Sequence, residues 1–550
     1  MQTGEIWVAI TDRELPSDKL GKERTRSSKV IVFAMILIAI LMLGAIAGLM
    51  VQTVNNKEPL PPETPVRTPA GIAYTVRSPI SISGNAGFTA AIGVSGVSGG
   101  TGAASDPYII SDWDINASTA MIGISINDTD AHFIVKNCYV HESRSGYPSY
   151  PGGINLHNCT NGTLENNICS NKNHAGIKLE SSSNNTVSNN SCSGNDFEGI
   201  WLDDSGNNTL SSNTCRGNMY GILLIDSRNN MLINNTCSGW NGIKFDSSNN
   251  NTVSNNNCSN SYQGIYLDSS NNNTLNNNIC VSNSQSGVQL EASHYNHLVN
   301  NSCLHNTYGI QLIASSCNTL DNNNCSNNDC GINFTTSKIP PDPSGDNEVV
   351  NNTCSSNNHN GIYVSFSDRN DLINNTCSSN NENGIVVIMA SNIDLRNNTC
   401  SNNGCGLYFG SGFNHLVQSN WFINNTGWGI YPICATPGSV TMIWNNTFIG
   451  NNGAGETYDS GHAQALSQGG FTWNSTDGYG NYWSDWTGPD LNKDGIVDAP
   501  YVLDGGADDN YPRTSTPSEP IPEFGMIPLV VIVFLAAIVL TIGARRRKGQ

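Results

Sequence analysis

Apolar and polar positions along this chain follow a pattern that restarts every 21–23 residues. In one period Ile177 and Leu179 alternate with Lys178 and Glu180, the spacing of a strand with one face in a core. A polar turn, Ser181 to Asn185, follows, and then Val187, Asn190 and Cys192 recur at fixed offsets. A glycine opens each period, from Gly153 and Gly176 to Gly429, followed by Ile except at Gly287-Val288 and Gly406-Leu407. Self-similarity at this period is the mark of a solenoid. Short strands, polar corners and no helix-forming segment predict an all-β fold, a parallel β-helix of about fourteen coils. Stacking at about 4.8 Å per coil would give a rod on the order of 65 Å long. A leucine-rich repeat has a similar period, but its convex side needs a helical segment, and here that stretch is Ser and Asn.

Stacked coils place like residues in columns. One is an asparagine ladder running through Asn190, Asn213, Asn235 and Asn256, whose amides can bond along the stack. Two residues further on runs a cysteine ladder, with Cys192, Cys215, Cys237 and Cys258 among its members. In the last coils that slot holds Phe422 and Phe448, so it is an apolar core slot and its cysteines are small buried hydrophobes. Cys159, Cys317, Cys330, Cys405 and Cys434 lie off the ladder and are the better candidates for disulfides. So many unpaired thiols outside a cell would suggest an anoxic habitat.

The ends read differently. Residues 30–51 carry no charge over a length that spans a bilayer, as a transmembrane segment or signal anchor. A second apolar run, 526–543, is closed by Arg545, Arg546, Arg547 and Lys548. The positive-inside rule puts both basic flanks, 1–29 and 544–550, in the cytoplasm and everything between outside. The whole chain has 25 Lys and Arg against 44 Asp and Glu, and the flanks hold ten basic and five acidic residues. That leaves 15 against 39 outside, a net of −24, which repels nucleic acid and attracts cations. Between the membrane segments the pattern predicts a Pro-rich linker at 52–70, an N-terminal cap at 71–120 and the β-helix at 121–450. A C-terminal cap at 451–512 and a linker at 513–525 follow. About twenty Asn-x-Ser/Thr sequons fall in the Asn-rich corners, where exposed ones could be glycosylated.

The repeats, with Asp106-Pro107-Tyr108-Ile109-Ile110 at their opening and Gly480-Asn481-Tyr482-Trp483-Ser484-Asp485 at their close, resemble the right-handed β-helix family of NosD and the carbohydrate-binding and sugar-hydrolase (CASH) domains. The resemblance spans about residues 75 to 512 and extends to archaeal surface members; it speaks for fold more than function. Pro522-Glu523-Phe524, an apolar span and a basic end are similar to a PEF-type sorting signal, which implies processing by an archaeosortase and attachment at the cell surface.

Three sites follow from the residues. Asp490, Asn492, Asp494 and Asp498, with Gly495 at the turn, offer oxygens at alternate positions as a Ca²⁺ loop does. Tyr501 stands where an EF-hand has Glu, and an ordinary Asp-Gly turn is the alternative. The second site is the outward face of the Gly-Ile strands. Trp201 and Tyr266 share one column with Lys178 and Lys244, and Asp203, Asp246 and Asp268 the next. Aromatic rings beside carboxylates suit sugar binding; a solvated charged stripe is the competing reading. Insertions at 142–152 and 335–347 flank this strand and could wall the face. No residue is singled out as catalytic, because a stacked acidic column produces glycosidase-like carboxylate spacings automatically. The third is copper, implied by the NosD resemblance, with His294, His297 and His305 in one coil region as candidate ligands. The expected protein is a surface-anchored β-helix that binds glycans or builds an envelope or matrix; a polysaccharide lyase or hydrolase, then a copper protein, are the alternatives.

Overall fold

A computed structural model describes residues 74–142, 152–170, 174–336, 345–433, 441–467 and 470–517. The expected transmembrane segments 30–51 and 526–543, their basic flanks and the 52–70 linker lie outside the described residues. So do the centres of the two insertions. Among the described residues no helix is long and apolar enough to cross a membrane. The chain divides into Met1–Thr64 and Pro65–Gln550, and the second unit holds the β-helix.

Each coil contributes a strand to three parallel faces. Gly-Ile strands such as Ala175–Glu180 and Glu198–Asp203 stack in strict chain order into a 15-stranded sheet. Short strands such as Thr186–Ser188 form a 16-stranded sheet. The cysteine segments form a third face, a four-stranded sheet at one end and a five-stranded sheet at the other. Single bridges from Ile168 through Ser191 and on to Thr376 continue that face between them. Ile177, Leu179, Val187 and Cys192 of one coil are fully buried, and their counterparts stack above and below.

The corners explain the composition. Ser181, Asn184 and Asn189 hold φ of 48°, 57° and 56°, and the same positions are left-handed in coil after coil. Asn tolerates that region because its short side chain bonds locally. The repeat glycine has another reason. A Cβ on Gly199 would lie 2.5 Å from Gly221 O and 2.7 Å from Cys215 Cβ, so no side chain fits there.

Four polar ladders line the corners rather than the one expected. Asn190 Nδ2 donates to Leu164 O on the preceding coil (2.9 Å) and to Asn213 Oδ1 on the next (3.0 Å), and Asn190 N donates to the same oxygen. A parallel ladder runs through Asn185, Asn208 and Asn230, and another includes Asn283, Asn306 and Asn328. A serine ladder passes from Ser182 to Ser205 and Ser227. Along the asparagine ladders the amides point the same way, so each run leaves surplus N–H groups at its C-terminal end. In two of the runs a carboxylate closes them: Asn481 donates to the buried carboxylate of Asp509, and Asn451 donates to Gln464, which donates in turn to Asp485.

Residues 74–120 supply the first rungs as well as their cover: Ile80–Ser83 already pairs with Ile124–Thr129, and the helix Gly84–Ala91 lays Phe88 on Tyr108 and Phe133. At the other end Phe422, Phe448, Trp483 and Tyr501 stack in succession, closing the core with rings. The sixteen described cysteines are free thiols, which corrects the expected off-ladder disulfides. Cys159 is core, and Cys330 and Cys405 lie in the first column of the Gly-Ile sheet with Tyr308 and Asn383 as partners; Cys434 lies outside the described residues. Burial pushes the Cys138 thiol up to about 12 and raises Cys192 and Cys258 well above the usual range.

Candidate binding face on the Gly-Ile sheet

The strand register places the expected columns as the repeat implied. Lys178, Trp201, Leu223, Lys244, Tyr266 and Gln289 are successive partners, and so are Glu180, Asp203, Ile225, Asp246, Asp268 and Glu291. Trp201, Tyr266, Asp203, Asp246 and Asp268 therefore share one face, with Asp246 and Asp268 on adjacent rungs. The face differs from a solvated stripe. Lys178 is 4% exposed, Gln289 is buried, and the aromatics and acids are half-buried by their neighbours in the stack.

Two similar units stand on it. The Lys178 ammonium sits 4.1 Å above the Trp201 ring, 3.1 Å from Glu180 and 4.0 Å from Asp203. Lys244 lies 5.4 Å from the Tyr266 ring and 5.9 Å from that of Tyr220, with Asp246 at 3.8 Å. A partly desolvated cation over a ring contributes about 0.5–2 kcal/mol, enough to fix the orientation of both side chains. Tyr266 donates its hydroxyl to Glu291 (2.8 Å), and burial raises its pKa. Burial also raises the pKa of Asp203, against the lowering effect of Lys178.

Sequence reasoning missed part of the face. His174 and Glu198 are both buried, with Nδ1 and Oε2 3.2 Å apart, and His174 stacks on Phe197 at 4.3 Å beside Trp201. The Trp201 indole N–H is buried with no hydrogen-bond partner among the described residues. Phe197, Met219, Trp240 and Tyr262 form a further column at the corner before the strand, 36–55% exposed, and Trp240 stacks on Tyr262 at 4.4 Å. Counting back from each repeat glycine would have found both features, since Glu198 and Phe197 stand one and two residues before Gly199.

The metal candidates separate. Asp490, Asn492, Asp494 and Asp498 do share one exposed turn, where Asp490 accepts the Asp494 and Gly495 amides, Asp494 accepts Ile496 N–H and Asp498 accepts Leu491 N–H. His294 Nδ1 accepts the Ser316 amide, His297 opens the strand His297–Val299, and His305 occupies a left-handed corner at φ 56°. These histidines stand on different parts of their coils. Among the described residues no three His, Cys, Asp or Glu side chains converge as a metal group, so the residues do not fit a copper centre.

Comparison with known proteins agrees on the architecture. Residues 237–340 and 341–488, under half of the chain, match the family described as periplasmic copper-binding protein (NosD), and residues 90–240 match right handed beta helix region. The chain is thus an all-β, right-handed parallel β-helix with NosD-type repeats. No curated protein sequence matches it. Among solved structures it is similar to the periplasmic alginate epimerase AlgG, at 13% identity and a TM-score of 0.38 over 61% of this chain and 83% of that one. The Azotobacter vinelandii mannuronan C-5 epimerase AlgE4 A-module gives 13% and 0.31 over 56% and 87%. PfbA, a surface adhesin of Streptococcus pneumoniae, gives 12% and 0.32 over 54% and 84%. Values this low carry no inference about chemistry.

Proposed function

We propose that this chain is a cell-surface-anchored β-helix whose Gly-Ile face binds glycan, as a receptor for, or component of, an envelope or matrix. One observation carries the reading: two cation–ring units, Lys178 on Trp201 and Lys244 on Tyr266, stand in one column beside a column of carboxylates. Ring faces suit the apolar faces of sugars, and carboxylates accept hydroxyl hydrogens. An extracellular position is supported by the periplasmic description of the matching family and by the acidic ectodomain. The length and basic flanks of 30–51 and 526–543 support anchoring, and Pro522-Glu523-Phe524 supports sortase-type processing. Calcium at Asp490, Asn492, Asp494 and Asp498 is a companion proposal, supported by the alternate spacing of their oxygens along one exposed turn.

The test is a glycan panel probed with the detergent-solubilised chain. Trp201→Ala and Tyr266→Ala should each weaken the binding seen, with no new reducing or unsaturated ends released. Mutants indistinguishable from wild type would leave a structural role. A second reading, a lyase or hydrolase, is favoured by the buried His174–Glu198 pair, an imidazole held by a carboxylate beside the face. Products that form with wild type and vanish in His174→Gln or Asp246→Asn would promote it.

A further inference from the structure

We propose that the ligand of this face is a glycan bearing free amino groups, an amino-sugar polymer, and that polyuronates are refused; the proposal rests on the glycan-binding reading. Two observations converge. The first is the apolar strip of Phe197, Met219, Trp240 and Tyr262, one residue per coil over four consecutive coils and exposed throughout. It joins the charged face directly, because Phe197 stacks on His174, which lies against Trp201. A sugar chain lying along the stack would set ring faces on the strip and present its substituents to the columns beside it.

The second observation is the sign of those columns. Over the coils from Ala175 to Glu291 they carry six carboxylates, Glu180, Glu198, Asp203, Asp246, Asp268 and Glu291, against two lysines. Both lysines are already matched, Lys178 by Glu180 and Asp203, Lys244 by Asp246. A uronate carboxylate would thus find no free cation on these columns and several like charges within a Debye length, about 8 Å at physiological salt. A protonated amine on a sugar finds the opposite. Among the described residues Asp268 has no lysine partner; it accepts from the Ser269 hydroxyl at 3.1 Å and lies beside the Tyr266 hydroxyl. The whole chain, at a formal −19, adds long-range attraction of the same sign.

The test is calorimetric titration of the detergent-solubilised full chain with a glucosamine hexamer, its fully N-acetylated counterpart and a uronate hexamer, each at low and raised salt. The amine form should bind at least about ten-fold tighter than the N-acetylated form, a gap of about 1.4 kcal/mol. That binding should weaken with salt, and the uronate should not bind. Trp240→Ala should weaken amine binding with circular dichroism unchanged, Trp240→Phe should restore it, and Asp268→Asn should reduce both affinity and salt dependence. Equal binding of the amine and N-acetylated forms, or preference for the uronate, overturns the amino-sugar assignment while leaving a glycan-binding face. Unchanged affinity in Trp240→Ala removes the strip and overturns the proposal. Failure of all three probes to bind overturns this proposal, and failure across the wider glycan panel is what would overturn the function beneath it.

Discussion

Two positions of the coil are constrained by what packs against them from the neighbouring coils. A Cβ on the repeat glycine would collide with a carbonyl of the next coil; on Gly264 it would lie 2.5 Å from Gly287 O. The cysteine two residues past the ladder asparagine is fully buried. Cys258→Val should therefore fold with a modest loss of stability, and Cys258→Asp should unfold the neighbouring coils, because an unpaired buried charge is costly. Urea titration of the two variants checks this; equal tolerance would mean the slot faces solvent. The cysteine slot was legible in the sequence because Phe422 and Phe448 take it over late in the chain. The reason for the glycine was not, since its constraint is a carbonyl one whole coil away in sequence and leaves no local trace.

At the scale of the element, the ladders replace a purely apolar core at the corners. Asn256 donates to Leu232 O (2.9 Å) and Asn278 Oδ1 (3.0 Å) and accepts from Asn235, so it satisfies groups on the coils before and after its own. Asn256→Leu should strand those partners and cost about 1–3 kcal/mol, read from the denaturant midpoint. A neutral result would remove the ladder from the account of stability. Only one asparagine ladder was readable beforehand, because the same residue type plays two roles side by side. Asn184 supplies a left-handed corner while Asn185 is buried in a ladder. The turn at Asp490 to Asp498 is the element that bears on calcium. EDTA should lower the melting temperature, and Asp494→Ala should abolish that response, because a ligand bound only by the native state stabilises it. Unchanged melting on chelation would leave an Asp-Gly turn.

Across the β-helix, uniform register made the main columns of the face predictable: once Trp201 is placed, Tyr266 follows three coils later. What escaped was set by the corners. His174 reaches Glu198 from the coil before it, and Phe197 joins Tyr262 in a column only because the corners turn alike. Those positions recur at a fixed offset before each repeat glycine, but their contacts across coils show only in the structure.

The one-way ladders with a terminal carboxylate have a consequence for how such a molecule can change. Every coil hands on the same set of donors that it receives, so the stack is indifferent to how many members it has, provided each is whole. Excising the 22 residues from Gly242 to Gln263 should join Asn241 to Gly264, let Asn235 meet Asn278, and leave Asp509 still closing the run. The variant should melt cooperatively, one step of about 4.8 Å shorter by small-angle scattering. Excision of half that length should abolish folding, because no donor would then meet its acceptor. Length in this protein is a counted quantity, adjusted by whole turns like the links of a chain.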